Sequence, residues 1–131
     1  MAESTNRQFV VDASFVLAIL LPDENVEALD NKLDLYAQGK IGFFSTHILP
    51  FEVLNGIRSA VLRKTINKNL ATKLASHFFD LKIPVIDVDF GNTFQLAVRN
   101  NLTVYDASYV YLAKSKNIPL LTQDRQLAAN N

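Results

Sequence analysis

Phe9-Val10-Val11-Asp12-Ala13-Ser14 decides how the rest of the chain is read. Three apolar residues, two of them β-branched, run into a carboxylate and then into small residues. That is the pattern of a short buried strand followed by a helix starting at Ser14. In an open α/β sheet, ligands bind outside the carboxyl ends of the strands. A carboxylate at that point faces a cleft.

Downstream, Phe15 to Leu21 continues as an apolar helix that Pro22 stops. Asp23-Glu24-Asn25 opens a second helix, with Val26, Leu29, Leu33 and Tyr36 at helical spacing and Gly39 as its end. Ile41 to Ser45 reads as the second strand, and Ser45 or Thr46 as the cap of the next helix. From Ile48 to Lys64, Phe51, Leu54, Ile57 and Val61 recur every three to four residues, a helix with Pro50 in its first turn. On it Glu52, Asn55, Gly56 and Ser59 share a small, polar face, open to an approaching group.

Thr65-Ile66-Asn67 breaks the pattern, and Leu70 to Phe79 forms a further helix. Ile83 to Ile86 is the third strand, with Pro84 favouring an edge position. Asp89 starts a helix that runs through Phe94 and Val98 to Asn100, and Tyr105-Asp106-Ala107-Ser108 opens another with Val110 and Ala113 buried. Pro119 to Thr122 is the fourth strand, and Arg125 to Ala129 a closing helix. Strands alternating with helices predict an α/β fold, a parallel sheet covered on both faces.

At 131 residues the chain is expected to be one domain, 1–131. Its 49% hydrophobic and 20% charged residues are those of a soluble globular protein. The absence of cysteine excludes disulfides and thiolate metal sites and suits a reducing, cytoplasmic setting. No apolar run approaches a membrane span, and Met1 to Gln8 resembles no signal peptide, so no membrane association is expected.

Net charge is zero, but its distribution is uneven. Residues 1–52 hold eight acids against three bases, whereas residues 53–79 hold Arg58, Arg63, Lys64, Lys68 and Lys73 and no acid. The basic tract either solvates an exposed helical pair or grips phosphates through charge, with Arg63, Lys64 and Lys68 as candidate RNA contacts. His77, beside Phe78 and Phe79, is read as part of a packed surface, and His47 has no partner at metal-ligand spacing.

Four carboxylates stand at element ends. Asp12 ends strand one, Asp124 follows strand four, and Glu52 and Asp106 lie in opening turns of helices. In a right-handed parallel α/β layer these positions share one edge. Singly, Asp106 and Asp124 are explained as helix caps, Asp12 as closing a turn and Glu52 as a dipole partner in a first turn. Together they repel one another unless a cation neutralises them. Mg²⁺ or Mn²⁺, hard ions that accept carboxylate, water and phosphate oxygens, fit that need. One or two such ions activate water and stabilise the charge that develops on a phosphodiester under attack.

Val10-Val11-Asp12-Ala13-Ser14, Phe51-Glu52-Val53-Leu54, Tyr105-Asp106-Ala107-Ser108-Tyr109-Val110-Tyr111-Leu112-Ala113 and Leu120-Leu121-Thr122-Gln123-Asp124-Arg125-Gln126-Leu127 resemble, in that order, the motifs of PIN domains. Among PIN domains they are most similar to the toxin ribonucleases of VapBC toxin–antitoxin pairs. The resemblance implies a three-layer α/β/α domain with a short central sheet of about four strands. It also implies a metal-dependent endoribonuclease that hydrolyses RNA with metal-activated water, is inhibited by a cognate antitoxin protein and forms a homodimer. Carried over by residue, it suggests Asp12, Glu52, Asp106 and Asp124 as the Mg²⁺ (or Mn²⁺) site, with Ser14 and Thr122 as supporting hydroxyls. Family members often continue into a fifth strand, whereas this chain ends Ala129-Asn130-Asn131.

Other readings fit less well. A phosphoacceptor receiver wants adjacent acids after strand one and a Lys-Pro pair near the last strand, but Asp12 stands alone and Ile118 precedes Pro119. With four glycines in all, neither GxGxxG nor GxxxxGK occurs. A PIN-fold module that binds RNA or a partner without turnover is the remaining alternative.

Overall fold

Four strands, β1 (Arg7–Val11), β2 (Ile41–Thr46), β3 (Val85–Ile86) and β4 (Leu120–Leu121), form a parallel sheet ordered β3-β2-β1-β4. The computed structural model that shows this describes residues 7–22 and 27–130. Among the described residues seven helices flank the sheet: α1 (Ala13–Leu20), α2 (Glu27–Ala37), α3 (Leu49–Leu62), α4 (Lys68–Leu81), α5 (Phe90–Asn100), α6 (Val104–Lys116) and α7 (Arg125–Ala129). None of them is long and apolar enough to cross a membrane.

The central position of β1 explains its sequence. It pairs with β2 on one side, Val10 opposite Phe44, and with β4 on the other, Val11 opposite Leu121. Helices cover both faces, so Val10 and Val11 are both fully buried and the strand is apolar throughout rather than alternating. The chain steps outward from β1 to β2 to β3, then returns past β1 to lay down β4. Right-handed crossovers thus place α1 to α4 on one face and α5 and α6 on the other, with α6 packed on β1, β2 and β4. The reversal falls between β1 and β4, and in open α/β sheets the carboxyl ends of the strands at such a reversal are where ligands bind.

Pro84 predicts an edge strand, and β3 is one. Gly39, at φ +73°, ends α2 as expected. The proposed opening of α2 at Asp23-Glu24-Asn25 and Val26 lies outside the described residues.

Several local expectations are corrected. Helix α1 starts at Ala13 with Asp12 as its cap, so Ser14 lies within the first turn. Neither Ser45 nor Thr46 caps α3. The Ser45 hydroxyl donates to the Val11 carbonyl at 2.6 Å, Thr46 meets Ser108 at 3.2 Å, and the cap position is Ile48. Helix α4 begins earlier than Leu70, because the Asn67 side chain caps it through the Leu70 amide. His77 is exposed rather than packed.

The buried stripe of α3 is Leu49, Val53, Ile57 and Ala60, and Phe51 is 78% exposed. Two residues on from Leu49 is roughly 200° around a helix, which turns Phe51 away from the sheet. Gly56 is not open space either. A Cβ there would lie 2.3 Å from Leu17 Cδ1, so the group that approaches this face is α1 itself.

Candidate metal centre at the β1–β4 crevice

Asp12 is 3% exposed, and its hydrogen bonds explain how a carboxylate is held there. The strand ends with Asp12 extended, at φ −102° and ψ 178°, and Oδ1 caps α1 by accepting the Phe15 amide at 2.9 Å. Oδ1 also accepts the Ser14 hydroxyl at 2.8 Å, and Oδ2 accepts the Thr122 hydroxyl. Each hydroxyl accepts an amide in turn, Ser14 from Gln123 at 2.9 Å and Thr122 from Asp124 at 3.0 Å. A hydroxyl has one proton. Both protons point at Asp12, and the loop after β4 is tied to the carboxylate after β1. Three of the roughly four acceptor positions of a carboxylate are filled, which leaves capacity on Oδ2.

Glu52 lies in the first turn of α3, half-buried, and its Oε1 accepts the Tyr109 hydroxyl at 2.6 Å. Asp106 lies in the first turn of α6 without capping it. That position belongs to Thr103, whose hydroxyl accepts the Asp106 amide at 3.0 Å. Asp124 does cap its helix, accepting the Gln126 and Leu127 amides at 2.8 and 3.2 Å on Oδ1.

Electrostatically the four acids form one group. Burial raises the Asp12 pKa against its three hydrogen bonds, and the Asp106 charge adds to the rise. Burial also raises Glu52, with the charges of Asp106 and Asp12 adding and the Tyr109 hydrogen bond opposing. Asp106 is raised by burial and by Asp124. Among the described residues no lysine or arginine forms an ion pair with any of the four. His47 does pair with Asp87 at 2.8 Å, but both side chains are exposed and the pair is worth little.

No three His, Asp or Glu side chains among the described residues close in as a ready-made cage. That does not disqualify Mg²⁺, which keeps much of its water and is held by one or two carboxylates together with substrate phosphate. The donor set, all hard oxygen and lacking a counter-cation, fits such an ion and no soft metal.

The sequence matches the PIN domain family over residues 9–131. The chain belongs to the PIN-domain family. It is 32% identical over 125 residues to Ribonuclease VapC3 of Pyrobaculum aerophilum, covering 92% of each chain. It is 38% identical over 86 residues to Ribonuclease VapC1 of Mycobacterium tuberculosis, 63% of each. In fold it superposes on a crystal structure from Pyrobaculum aerophilum with a TM-score of 0.74 at 24% identity, over 100% of this chain and 87% of the other. It is a VapC-type PIN domain.

Of the predicted site residues, this PIN domain joins Asp12, Ser14 and Thr122 directly and couples Glu52, Asp106 and Asp124 to them through charge. The basic candidates are not brought there. Arg63, Lys64 and Lys68 are exposed around the end of α3 and the start of α4. Eleven residues of helix, roughly 16 Å, separate Arg63 from Glu52. Two features escaped the sequence. Tyr109 carries no chemistry-bearing spacing of its own beyond standing three residues after Asp106. A hollow of about 480 Å³, lined by Phe51, Phe90, Val104 and Tyr105 and by buried Thr93, whose hydroxyl has no hydrogen-bond partner among the described residues, depends on which aromatics face outward.

Proposed function

We propose that this PIN-domain chain is the toxin of a type II toxin–antitoxin pair, a Mg²⁺- or Mn²⁺-dependent endoribonuclease held in check by a cognate antitoxin. The observation that carries the reading is the group of four mutually repelling carboxylates, of which Asp12, Glu52 and Asp106 are raised in pKa by burial, with no lysine or arginine paired to any of the four among the described residues. The ribonuclease relatives at 32% and 38% identity support the reaction class.

In this reading Asp12, Glu52, Asp106 and Asp124 hold the ion, which when bound lowers the pKa of water and stabilises charge on the scissile phosphodiester. Ser14, Thr122 and the Phe15 amide fix Asp12 in one orientation, so little reorganisation is needed when the substrate arrives. The acids leave the ion as the positive partner for the incoming phosphate. Arg63, Lys64 and Lys68 hold the RNA backbone farther along the strand, which then runs the length of α3.

The homodimer belongs to the same reading. Phe90, Phe94 and Val98 stand at i, i+4 and i+8 on α5, 84%, 58% and 67% exposed. Arg99 is the single charged residue of that helix. A strip so apolar and so poor in charge suits a second copy of itself rather than a phosphate backbone.

The test is cleavage of a mixed RNA pool by the purified chain. Cleavage is expected with Mn²⁺, none with excess chelator, and none by Asp12→Asn. Full activity in chelator, or in that variant, removes the proposal.

A further inference from the structure

We propose that Tyr109 is a positioning residue, a buried phenol that fixes the Glu52 carboxylate in the orientation from which it takes a divalent cation. This rests on the metal-dependent reading above. Tyr109 stands three residues after Asp106 on α6, hence on the same side of the helix. Its ring is 1% exposed, so packing sets its position. Its hydroxyl donates to Glu52 Oε1 at 2.6 Å, joining α6 to α3. One phenol thus links the helices that carry Glu52 and Asp106.

Glu52 needs such a restraint. It is partly exposed, has three rotatable bonds, and is repelled by Asp12 and Asp106. Released, it swings toward water. The phenol remains a neutral donor, since burial and the Glu52 charge push its ionisation far above the ordinary range. It engages Oε1, and no donor among the described residues takes Oε2, which is left for a cation. A tyrosine that merely satisfied its own hydroxyl would matter for stability and leave metal affinity alone.

The experiment is calorimetric titration of Mn²⁺ into the wild type, Tyr109→Phe, Glu52→Gln and the double variant. Loss of a hydrogen-bond partner behind a metal ligand weakens affinity about 10–100-fold. Tyr109→Phe is expected to fall in that range, and the double variant to bind no more weakly than Glu52→Gln alone. Wild-type affinity in Tyr109→Phe, or additive losses in the double variant, overturns the positioning role while the nuclease reading stands. No Mn²⁺ binding by the wild type removes both. A second measurement needs no folded Tyr109→Phe. With the four tyrosines carbon-13 labelled at the ζ position, the signal that Glu52→Gln displaces should also move when Mg²⁺ is added to the wild type. A stationary signal overturns the proposal.

Discussion

Asp12→Asn is expected to make the metal-free protein more stable while abolishing its response to metal. Asparagine caps a helix as well as aspartate does, so the Phe15 amide and the Ser14 hydroxyl keep their acceptor on Oδ1. What changes is Oδ2. The charge-assisted bond from Thr122 becomes a neutral bond with donor and acceptor exchanged, a loss of about 1 kcal/mol. Against this, an uncompensated buried charge is unfavourable by roughly 3–5 kcal/mol when nothing offsets it. Here three hydrogen bonds offset part, and the Asp106 charge adds to what remains. The net is a gain of about 1 kcal/mol near pH 7, or a Tm rise of about 3–4 °C in a domain of this size. With Mn²⁺ at a hundredfold excess over its Kd the wild type gains about 2.7 kcal/mol and the variant nothing, so their order inverts. Thermal melts with chelator and with Mn²⁺ read both halves. A variant that melts below the wild type in chelator, or rises with Mn²⁺ as the wild type does, refutes the reasoning.

Stability in chelator should also depend on pH. Asp12, Glu52 and Asp106 all have raised folded-state pKa values, so the native state binds protons more tightly than the unfolded chain. Their contribution is fully present below the ordinary values of 3.8 and 4.5 and is lost as pH rises through the shifted ones. Urea titrations should show the wild type losing stability relative to Asp12→Asn over that rise, and a constant difference contradicts it. Gly56→Ala should destabilise by about 1–3 kcal/mol through its overlap with Leu17, and an unchanged urea midpoint speaks against the packing described. Neutralising Arg63, Lys64 and Lys68 together should flatten the salt dependence of RNA binding by about 2 in log–log slope; an unchanged slope means the phosphates are held elsewhere. Phe94→Glu should convert a dimer to a monomer in sedimentation, and a wild type already monomeric removes the α5 interface.

Much of the molecule was legible in the sequence because the signals are local. The apolar run Phe9 to Val11, the stop at Gly39, the proline that sends Val85–Ile86 to the sheet edge and the acids at element ends all derive from side-chain period and backbone preference. The PIN-type motif order added Ser14 and Thr122 as supporting hydroxyls. Phe51 went wrong because a spacing of three to four fixes a helix but not which of its sides meets the sheet.

The order of elements, the buried character of β1 and the presence of four carboxylates at strand and helix ends were written in the chain itself, since each depends on neighbours within a few residues. Only the tertiary structure decided that β4 returns beside β1. With that return it decided that Thr122 bonds Asp12 across 110 residues of sequence and that Tyr109 reaches Glu52 across 57. Such contacts arise from how the helices share two faces of one sheet, a balance of packing over the whole molecule that no local window contains.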